Sequence, residues 1–567
     1  MSRRPPGRVA VVGAGAAGAL FALELSRLRP GTAIDLYDRG GAPPGAGIVL
    51  SWDFADGVKA DHPRVFDLPG SALATWDRTL TIVAGERVWS GAYGMFGVSR
   101  REFNGHLRNL ASGLPNVTPV RRTVPRDPGG YDLVVAADGA RSRLRTAREG
   151  DFGTRSSEGR TRFLWMSTPI ALEPTFVLKP VCGGVLIVHS YPHGPDVSTF
   201  IVEADAGVLA RLGLLDRPLP EIEGLLAELF ADELGGAPLH AQTRGWRAFT
   251  TIVNERWHSG RVVLAGDAAH TVHFSTGSGT ALAIDDARCL ARALAEDPSD
   301  ALDAYEAARR PVIRAAQEEA AESRHWFETL SRRERVRGHQ TVFALRSRRT
   351  ANTYDRLRAR DPDFVAAALR TLAAGPAEGE PADLPLRIGG IDLTGRYAEV
   401  TDDAQGTRTL RLPTADCHGQ CAIVHPGAPL PHRAPRCVLI TSPPPDLTPL
   451  TRTLRSRGAT AIGLLLPPPE PPRPAELAQF VGVARSAGVG GVDFLVVSAG
   501  VGGGRGERTR VADEVGYASG LPVLLLSAEP MSRDEVNTLV LGGRIALFAH
   551  AAGGGPAPPE AAPDQGG

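Results

Sequence analysis

Lysine is almost missing from this chain: of 63 basic residues only Lys59 and Lys179 are lysine. That scarcity leaves little room for Schiff-base or other lysine chemistry. Cysteine is also sparse. The five cysteines, Cys182, Cys289, Cys417, Cys421 and Cys437, are too scattered for a disulfide framework, and their odd number fits a reducing compartment. CHGQC at 417–421 has no second ligand pair at zinc-like spacing, which argues against a metal centre. Net charge is absent as well, because 63 acidic residues cancel the 63 basic ones, and with it goes any whole-chain argument for nucleic acid or an anionic membrane. An anionic ligand must be held locally. No hydrophobic run reaches the length of a membrane-crossing helix. The opening MSRRPPGRVAVVGAGAAG sets arginines before an apolar stretch, but that stretch is short, punctuated by glycine and without a small-residue cleavage pattern. It reads as a buried strand entering a turn, and the expected location is cytoplasmic.

What is present is an ordinary globular composition, 43% hydrophobic and 22% charged over 567 residues. At roughly 100–200 residues per domain this suggests two to four domains. From Arg8 to about Val365, apolar strands alternate with helical segments, as in RVAVVG, AIDLYD, DLVVAADG and GRVVLAGD, which predicts an α/β fold with a parallel sheet. Between about 155 and 255 the pattern changes, and VLIVHSY and STFIVEA predict an inserted antiparallel sheet on the substrate side. A helical closure over about 300–372 completes a first domain at 1–372. Residues 373–385, rich in Pro, Gly, Ala and acids, read as a linker, 386–552 as a second domain and 553–567 as a disordered tail.

VAVVGAGAAG sets Gly13, Gly15 and Gly18 in a GxGxxG spacing between a strand and a helix. The first glycine permits the tight turn, the second lets a pyrophosphate approach the backbone, and the third lets helix and strand pack closely. The helix N-terminus then offers amides and a partial positive charge to phosphates. Roughly twenty residues on, AIDLYDR ends in Asp38, suited to accept from a ribose hydroxyl, with Arg39 beside it. These residues point to a dinucleotide and leave NAD against FAD open.

DLVVAADGARSRLRT and GRVVLAGDAAH each carry an Asp–Gly or Gly–Asp pair at the end of an apolar strand. With them the sequence resembles the single-component flavoprotein aromatic hydroxylases, whose fold carries GxGxxG, then a DG motif, then a GD motif. The resemblance implies FAD in a Rossmann-like domain. It implies that Asp138, with Arg141, lies by the dinucleotide and the nicotinamide donor's path, and that Asp267 bonds the ribityl chain or pyrophosphate. It further implies that Arg100 in VSRREF grips the FAD phosphates, and that Gly45 and Gly47 in PPGAGIVLS cover the isoalloxazine. Gly277 and Gly279 would let amides approach the flavin's pyrimidine edge at the start of the following helix.

Over about the first 365 residues, RFLWMSTP, TFIVEAD, NERWHSGRVVLAGDAAHTVHFSTGSG and YDRLRARDPDFV resemble the salicyloyl-CoA 5-hydroxylases and the anthraniloyl-CoA (2-aminobenzoyl-CoA) monooxygenase/reductases. That resemblance implies NADH or NADPH as electron donor and O2 as co-substrate. Oxygen would pass from a flavin C4a-hydroperoxide to an electron-rich ring, a salicyl- or anthraniloyl-type thioester on CoA or a carrier protein. The cofactor carries the hard chemistry, while the protein positions the ring and excludes water. His273 and His270 are the acid/base candidates, since imidazole titrates near neutrality, with a structural histidine as the alternative for each. Phe274, Ser275, His189 and Tyr191 are candidate pocket residues. Arg244, Arg247 and Arg162 are candidate partners for a CoA or carrier arm.

Beyond residue 386, PLRIGGIDLTGRY, ARSAGVGGVDFLVVSAG and VADEVGYASGLPVLLLSAEPMSRDEVNTLVLGGRIALFAHA resemble the old-yellow-enzyme-like FMN barrel of the anthraniloyl-CoA enzymes. The region falls short of the roughly 250 residues of a complete eight-fold barrel, so several strands are expected to be missing. GGRIALFAHA also lacks the second glycine–arginine pair of that family's phosphate signature. A truncated TIM-barrel-like domain without FMN is expected, kept for packing, homodimerisation or carrier docking. Competing readings are a flavin oxidase on the same fold, and a hydroxylase of a larger carrier-bound or free aromatic metabolite. A halogenase is disfavoured because neither lysine sits near a paired-tryptophan motif. A non-catalytic scaffold is disfavoured by the intact set of Gly13, Asp38, Asp138 and Asp267.

Overall fold

The computed structural model describes residues 6–40, 47–68, 73–91, 93–124, 128–331, 338–373, 377–402, 408–415, 419–425, 429–430, 432–441, 444, 446–466, 474–499 and 505–550. Gly45, Cys417 and the 553–567 tail lie outside the described residues. The chain divides into two units, Met1–Glu334 and Arg335–Gly567.

In the first unit a six-stranded sheet runs in the order His258–Ser259, Val262–Leu264, Leu133–Ala136, Arg8–Val12, Ala33–Tyr37, Val117–Val120. Its neighbours are parallel except for the short antiparallel edge at His258–Ser259. Every residue of Arg8–Val12 after Arg8 is buried, as a strand covered on both faces requires. Helices Ala16–Leu28 and Gly279–Glu296 are tied together by a buried acid. Glu24 accepts from Arg27 at 2.9 Å and Arg292 at 3.1 Å and lies 2.5 Å from His62 Nε2. Burial works to raise its carboxyl, but these partners hold it down to about 2.

A second sheet of seven strands runs His240–Ala241, Thr161–Thr168, Val197–Asp205, Gly184–Gly194, Thr175–Val181, Thr79–Val83, Glu86–Ser90. The antiparallel sheet expected at 155–255 is thus enlarged by a hairpin from outside that span. Its turn residues Ala84 and Gly85 both have positive φ, 50° and 89°, as a tight two-residue hairpin needs. Alternation along the strands gives the sheet two faces. Leu164, Met166, Val188, Phe200 and Val202 pack with Val208, Leu209, Ile222 and Leu226 of the helices beyond. The opposite parity carries Phe163, Trp165, His189, Tyr191 and Glu203. A cavity of about 270 Å³ lined by Leu80, Ile82, Ser190 and Phe200 belongs to the first face, away from His189.

Helix Ala301–Ser331 ends the first unit. The expected closure over 300–372 is divided, because helices Gly338–Arg346, Tyr354–Arg360 and Pro362–Ala373 fall in the second unit, and the boundary lies at Glu334 instead of 372. Tyr354 N donates to Thr538 Oγ1 at 2.7 Å, and Asp355 N to Asp534 Oδ1 at 2.8 Å. Of the expected linker at 373–385, residues 380–382 are held within the same unit: Ala382 N donates to Asn537 Oδ1 at 3.0 Å, and Arg533 Nε to Glu380 at 2.6 Å. A Pro/Gly/Ala-rich composition reports turn propensity and says nothing of the partners a distant helix supplies.

The second unit corrects a further expectation. Its barrel is closed by eight strands, Tyr397–Asp402, Arg408–Arg411, Gln420–Val424, Cys437–Ile440, Ala461–Leu465, Phe494–Ser498, Val523–Ser527 and Leu547–His550. No strand is lacking for closure. Arg408–Arg411 runs antiparallel to both neighbours and the other pairings are parallel. Antiparallel neighbours need no helical crossover, which is how the barrel closes in so short a stretch. Helices Thr448–Ser456, Pro474–Val489, Arg505–Ser519 and Arg533–Leu541 supply the later crossovers. The inner wall is apolar, and a Cβ at Gly463 would sit 2.4 Å from the Phe494 ring, which crosses the space beside it.

Candidate active site

The three glycines after the first strand divide their work as the geometry demands. Gly13 has φ +104°, and a Cβ there would sit 2.3 Å from Ala137 O. A Cβ at Gly18 would meet Gly13 O at 1.9 Å. Gly15, the residue before helix Ala16–Leu28, has nothing within 4 Å of its missing Cβ. Two glycines are required by the protein itself, and the third leaves open space.

Polar groups without protein partners gather around this turn. Asp138 uses Oδ2 to accept from Arg143 N at 2.9 Å, while its buried Oδ1 has no partner. Arg100 opens helix Arg100–Ser112 with its Nε buried and unpartnered and its guanidinium 5.6 Å from the centre of the Trp165 ring. Asp267 keeps its carboxylate accessible although protein surrounds it, and accepts no hydrogen bond among the described residues. That surrounding desolvation raises its carboxyl above the ordinary value, with Arg100 and His270 opposing. Gly277 has φ +68°, Gly279 opens helix Gly279–Glu296, and neither has an atom within 4 Å of its missing Cβ.

Other expected cofactor residues are engaged with the protein. Asp38, at the end of strand Ala33–Tyr37, pairs with Arg108 and accepts from Gly40 N at 3.1 Å, while Arg39 is exposed. Gly47 N donates to Thr199 Oγ1 at 3.0 Å, and Tyr191 donates its hydroxyl to Gly47 O at 3.1 Å. A Cβ at Gly47 would lie 2.7 Å from the His193 Cβ, so that strand can approach the substrate sheet only as glycine.

The two histidines after Asp267 occupy different surroundings. His270 Nε2 lies 2.6 Å from Asp286 Oδ2, and Asp286 also accepts from Gly266 N at 3.1 Å and Arg309 Nε at 2.8 Å. His270 is thereby tied to the helix behind the loop that presents Asp267, an arrangement that fits the structural alternative given for it above. His273 stacks on Phe274 at 4.4 Å, accepts from Ser275 N at 3.3 Å through Nδ1, and lies 2.8 Å from Ser275 Oγ. Phe274 in turn packs against Phe163 at 4.9 Å, His189 at 5.4 Å and Trp165 at 6.0 Å. These rings form one aromatic wall, and the buried indole Nε1 of Trp165 has no partner.

Behind the wall stands Glu203, fully buried, which the sequence reading did not single out. It lies 3.0 Å from His189 Nε2 and accepts from Thr161 Oγ1 at 2.8 Å, and its other approach is His273 Nε2 at 4.0 Å. Burial pushes its carboxyl up, but His189, His273 and Thr161 outweigh that and hold it below the usual range. The signal was there: in STFIVEA the acid shares strand parity with Thr199 and Ile201, so it faces the side of the sheet that carries His189. Of the expected arm partners, Arg162 is occupied with the carbonyls of Gly159 and Thr161, whereas Arg244 and Arg247 are exposed.

A family model for the FAD binding domain matches residues 95–320. Salicyloyl-CoA 5-hydroxylase from a Streptomyces species is 34% identical over 434 residues, covering 73% of this chain and 83% of that protein. The 3-hydroxy-4-methyl-anthranilyl-[aryl-carrier protein] 5-monooxygenase of Streptosporangium sibiricum is 38% identical over 328 residues, 57% of this chain and 90% of that one. Protodeoxyviolaceinate monooxygenase of Chromobacterium violaceum is 29% identical over 357 residues, covering 60% and 94%. The chain is an FAD-dependent oxidoreductase. It belongs to the family of flavoprotein aromatic hydroxylases and is a monooxygenase.

The residues present fit FAD: an open Gly15 at a helix N-terminus, an orphaned Asp138 oxygen, an orphaned Arg100 nitrogen and an unbonded Asp267 carboxylate are the donors and acceptors a dinucleotide would complete. Among the described residues no helix is long and apolar enough to cross a membrane.

Proposed function

We propose that this monooxygenase takes its electrons from NADH or NADPH and hydroxylates an electron-rich aryl acid carried as a thioester, of salicyl or anthraniloyl type. The observation that carries the reading is the aromatic wall of Phe163, Trp165 and Phe274 with an unpartnered indole N–H, on the sheet face that also bears His189 and next to Arg100. A flat ring can stack there and accept the indole hydrogen bond. FAD, when bound, supplies O2 activation and oxygen transfer. Gly13, Gly15 and Gly18, with the helix start behind them, would hold its pyrophosphate. Arg100 and Asp267 would grip the phosphates and ribityl chain, Asp138 would stand by the dinucleotide, and Gly277 and Gly279 would admit the flavin edge. Asp38, with lone pairs left beside those that Arg108 and Gly40 N engage, would serve the ribose.

The thioester reading draws on two relatives whose names carry a CoA ester and an aryl-carrier protein. It draws also on Arg247, whose backbone pairs with Phe163 of the wall through N–H···O contacts of 2.8 and 3.0 Å and whose side chain is exposed. An arm leaving the ring pocket past Phe163 would meet that guanidinium. The test is NAD(P)H oxidation by FAD-loaded protein with salicyl-CoA, anthraniloyl-CoA, the carrier-bound acyl groups and the free acids, with mass spectrometry of the products. Thioester-dependent gain of one oxygen supports the reading. Equal stimulation by the free acids removes the tether from it, and peroxide released without product would make the chain an oxidase.

The barrel is proposed to be an old-yellow-enzyme-like domain that no longer binds FMN and serves packing, self-association or carrier docking. Arg544, ahead of the closing strand, is spent on Asp513 and Thr509 instead of a phosphate. Stoichiometric FMN in the purified protein would overturn this.

A further inference from the structure

The aromatic wall is backed by a connected set of ionisable groups that FAD binding does not use. Thr161, His189, Glu203 and His273 come from three strands of the substrate sheet and from the loop after Asp267, and all four are buried. The set continues through Ser275, whose Oγ lies 2.8 Å from His273 Nδ1 and 2.8 Å from Ser323 Oγ on helix Ala301–Ser331.

The hydrogen bonds determine which ring nitrogen carries each proton. A backbone N–H can only donate, so His273 Nδ1, which receives Ser275 N at 3.3 Å, is an acceptor when the ring is neutral, and its proton is on Nε2 toward Glu203. Glu203 is a carboxylate, so the short contact to His189 also requires the proton on Nε2. His189 Nδ1 is then a lone pair, and no hydrogen bond from the described residues reaches it. The His189 ring lies 5.4 Å from Phe274 and 5.2 Å from Phe176. The ring of this base, its far nitrogen held by a buried carboxylate, packs T-shaped against Phe274 of the wall where the aryl ring would stack.

We propose that Glu203 is the positioning residue of a buried proton relay in which His189 Nδ1 takes the proton released by the ring hydroxyl of the aryl substrate. The inference rests on the proposed function. The hydroxyl's O–H bond breaks, its electron pair stays on the substrate and enriches the ring, a N–H bond forms at His189 Nδ1, and the imidazolium is neutralised in place by Glu203. His273, 4.0 Å from the other carboxylate oxygen, shares the same anion and connects it to Ser275 and Ser323. The groups that face Glu203 are His189, His273 and Thr161. Glu328, on helix Ala301–Ser331, also acts on it, itself accepting from Arg160 N at 2.7 Å with Arg324 3.8 Å away.

The test uses full-length FAD-loaded protein and two readouts. Nitrogen-15 NMR of the histidine rings, with His189 assigned through His189→Gln, is expected to show the neutral Nε2–H form in the wild type. Glu203→Gln is expected to lose that preference and to show both tautomers, because an amide can donate to or accept from the ring nitrogen. The opposite tautomer in the wild type overturns the relay without any variant, and so does an unchanged tautomer preference in Glu203→Gln. In turnover, Glu203→Gln is expected to keep its FAD and its KM while kcat near neutrality falls roughly 10²-fold, with the loss shrinking as pH rises and the substrate ionises in solution. An equal loss at every pH overturns the relay and leaves Glu203 a packing residue. If no aromatic acid or thioester stimulates NAD(P)H oxidation, the proposed function falls, and the NMR result alone decides the relay.

Discussion

His270 Nε2 lies 2.6 Å from Asp286 Oδ2, joining the loop that carries Asp267 to the helix that begins at Gly279. Asp286 is fully buried, and although burial pushes its carboxyl up, His270 and Arg309 hold it below the ordinary range. Removing one partner of such a buried set strands the others, at about 3 kcal/mol or more. Asp286→Asn is therefore expected to lower the melting temperature and to weaken FAD binding at least several-fold, because Gly266 and Asp267 lose their anchor. Fluorescence titration of the apoprotein with FAD, beside a thermal melt, checks both. A variant that melts lower but binds FAD as tightly as before would separate the brace from the cofactor site.

Gly13 and Gly15 make opposite predictions although they are two residues apart. An alanine Cβ at Gly13 would sit 2.3 Å from Ala137 O at a φ of +104°, so Gly13→Ala should destabilise the fold outright. At Gly15 a Cβ meets no protein atom within 4 Å, so Gly15→Ala should fold and melt as the wild type does in the apo state. Only the phosphate has reason to object, and FAD retained after purification should fall sharply in Gly15→Ala. Wild-type FAD content in that variant would mean that the open space is not the pyrophosphate's.

Acid sensitivity should begin with His193. Burial lowers its folded pKa to about 4, from an unfolded value near 6.5. Below that unfolded value the unfolded chain takes up a proton that the native chain refuses. The stabilisation is complete above about pH 6.5, drains as pH falls, and is fully lost by about pH 4, a total of about 3 kcal/mol. Glu203 and Asp286, held below the usual carboxylate range, titrate only further down. Urea midpoints of the wild type should therefore drop between neutrality and about pH 5, and His193→Asn should flatten that drop. Parallel curves for the two proteins would assign the acid loss to other groups.

What could be read from the sequence was what depends on neighbours along the chain. Gly13 and Gly18 follow from a strand–turn–helix in which one glycine's carbonyl fills the space of the other's Cβ, and that geometry is local. Asp267 after an apolar strand is local as well. Glu203 was passed over because its meaning lies in partners from other strands: Thr161, His189 and His273 converge only when the sheet register is set. For His270 the sequence leaves chemistry and structure both open, because the partner that ties its Nε2, Asp286, sits on the next helix. The unit boundary and the barrel were misjudged for the same reason. Chain length counts residues, but closure depends on whether Tyr397–Asp402 can pair with Leu547–His550, and one antiparallel strand spared the crossovers that a count presumes.

Trp165 offers the sharpest separation of binding from folding. Its indole N–H is buried without a partner, 6.0 Å ring to ring from Phe274 and with the Arg100 guanidinium 5.6 Å from its centre. A buried donor left unpaired costs about 1–3 kcal/mol, which the apoprotein bears and a bound acceptor would relieve. Trp165→Phe removes the donor and keeps most of the ring, so the free protein should melt no lower than the wild type. If the substrate's carbonyl or ring substituent takes that hydrogen bond, the variant loses about 1.4 kcal/mol of binding, a roughly tenfold rise in KM, with kcat little changed. Steady-state kinetics on the thioester that stimulates the wild type best, paired with a melt, gives the answer. A lower melting temperature with KM unmoved would make Trp165 a packing residue, and the ring's recognition would have to come from Phe163 and Phe274 alone.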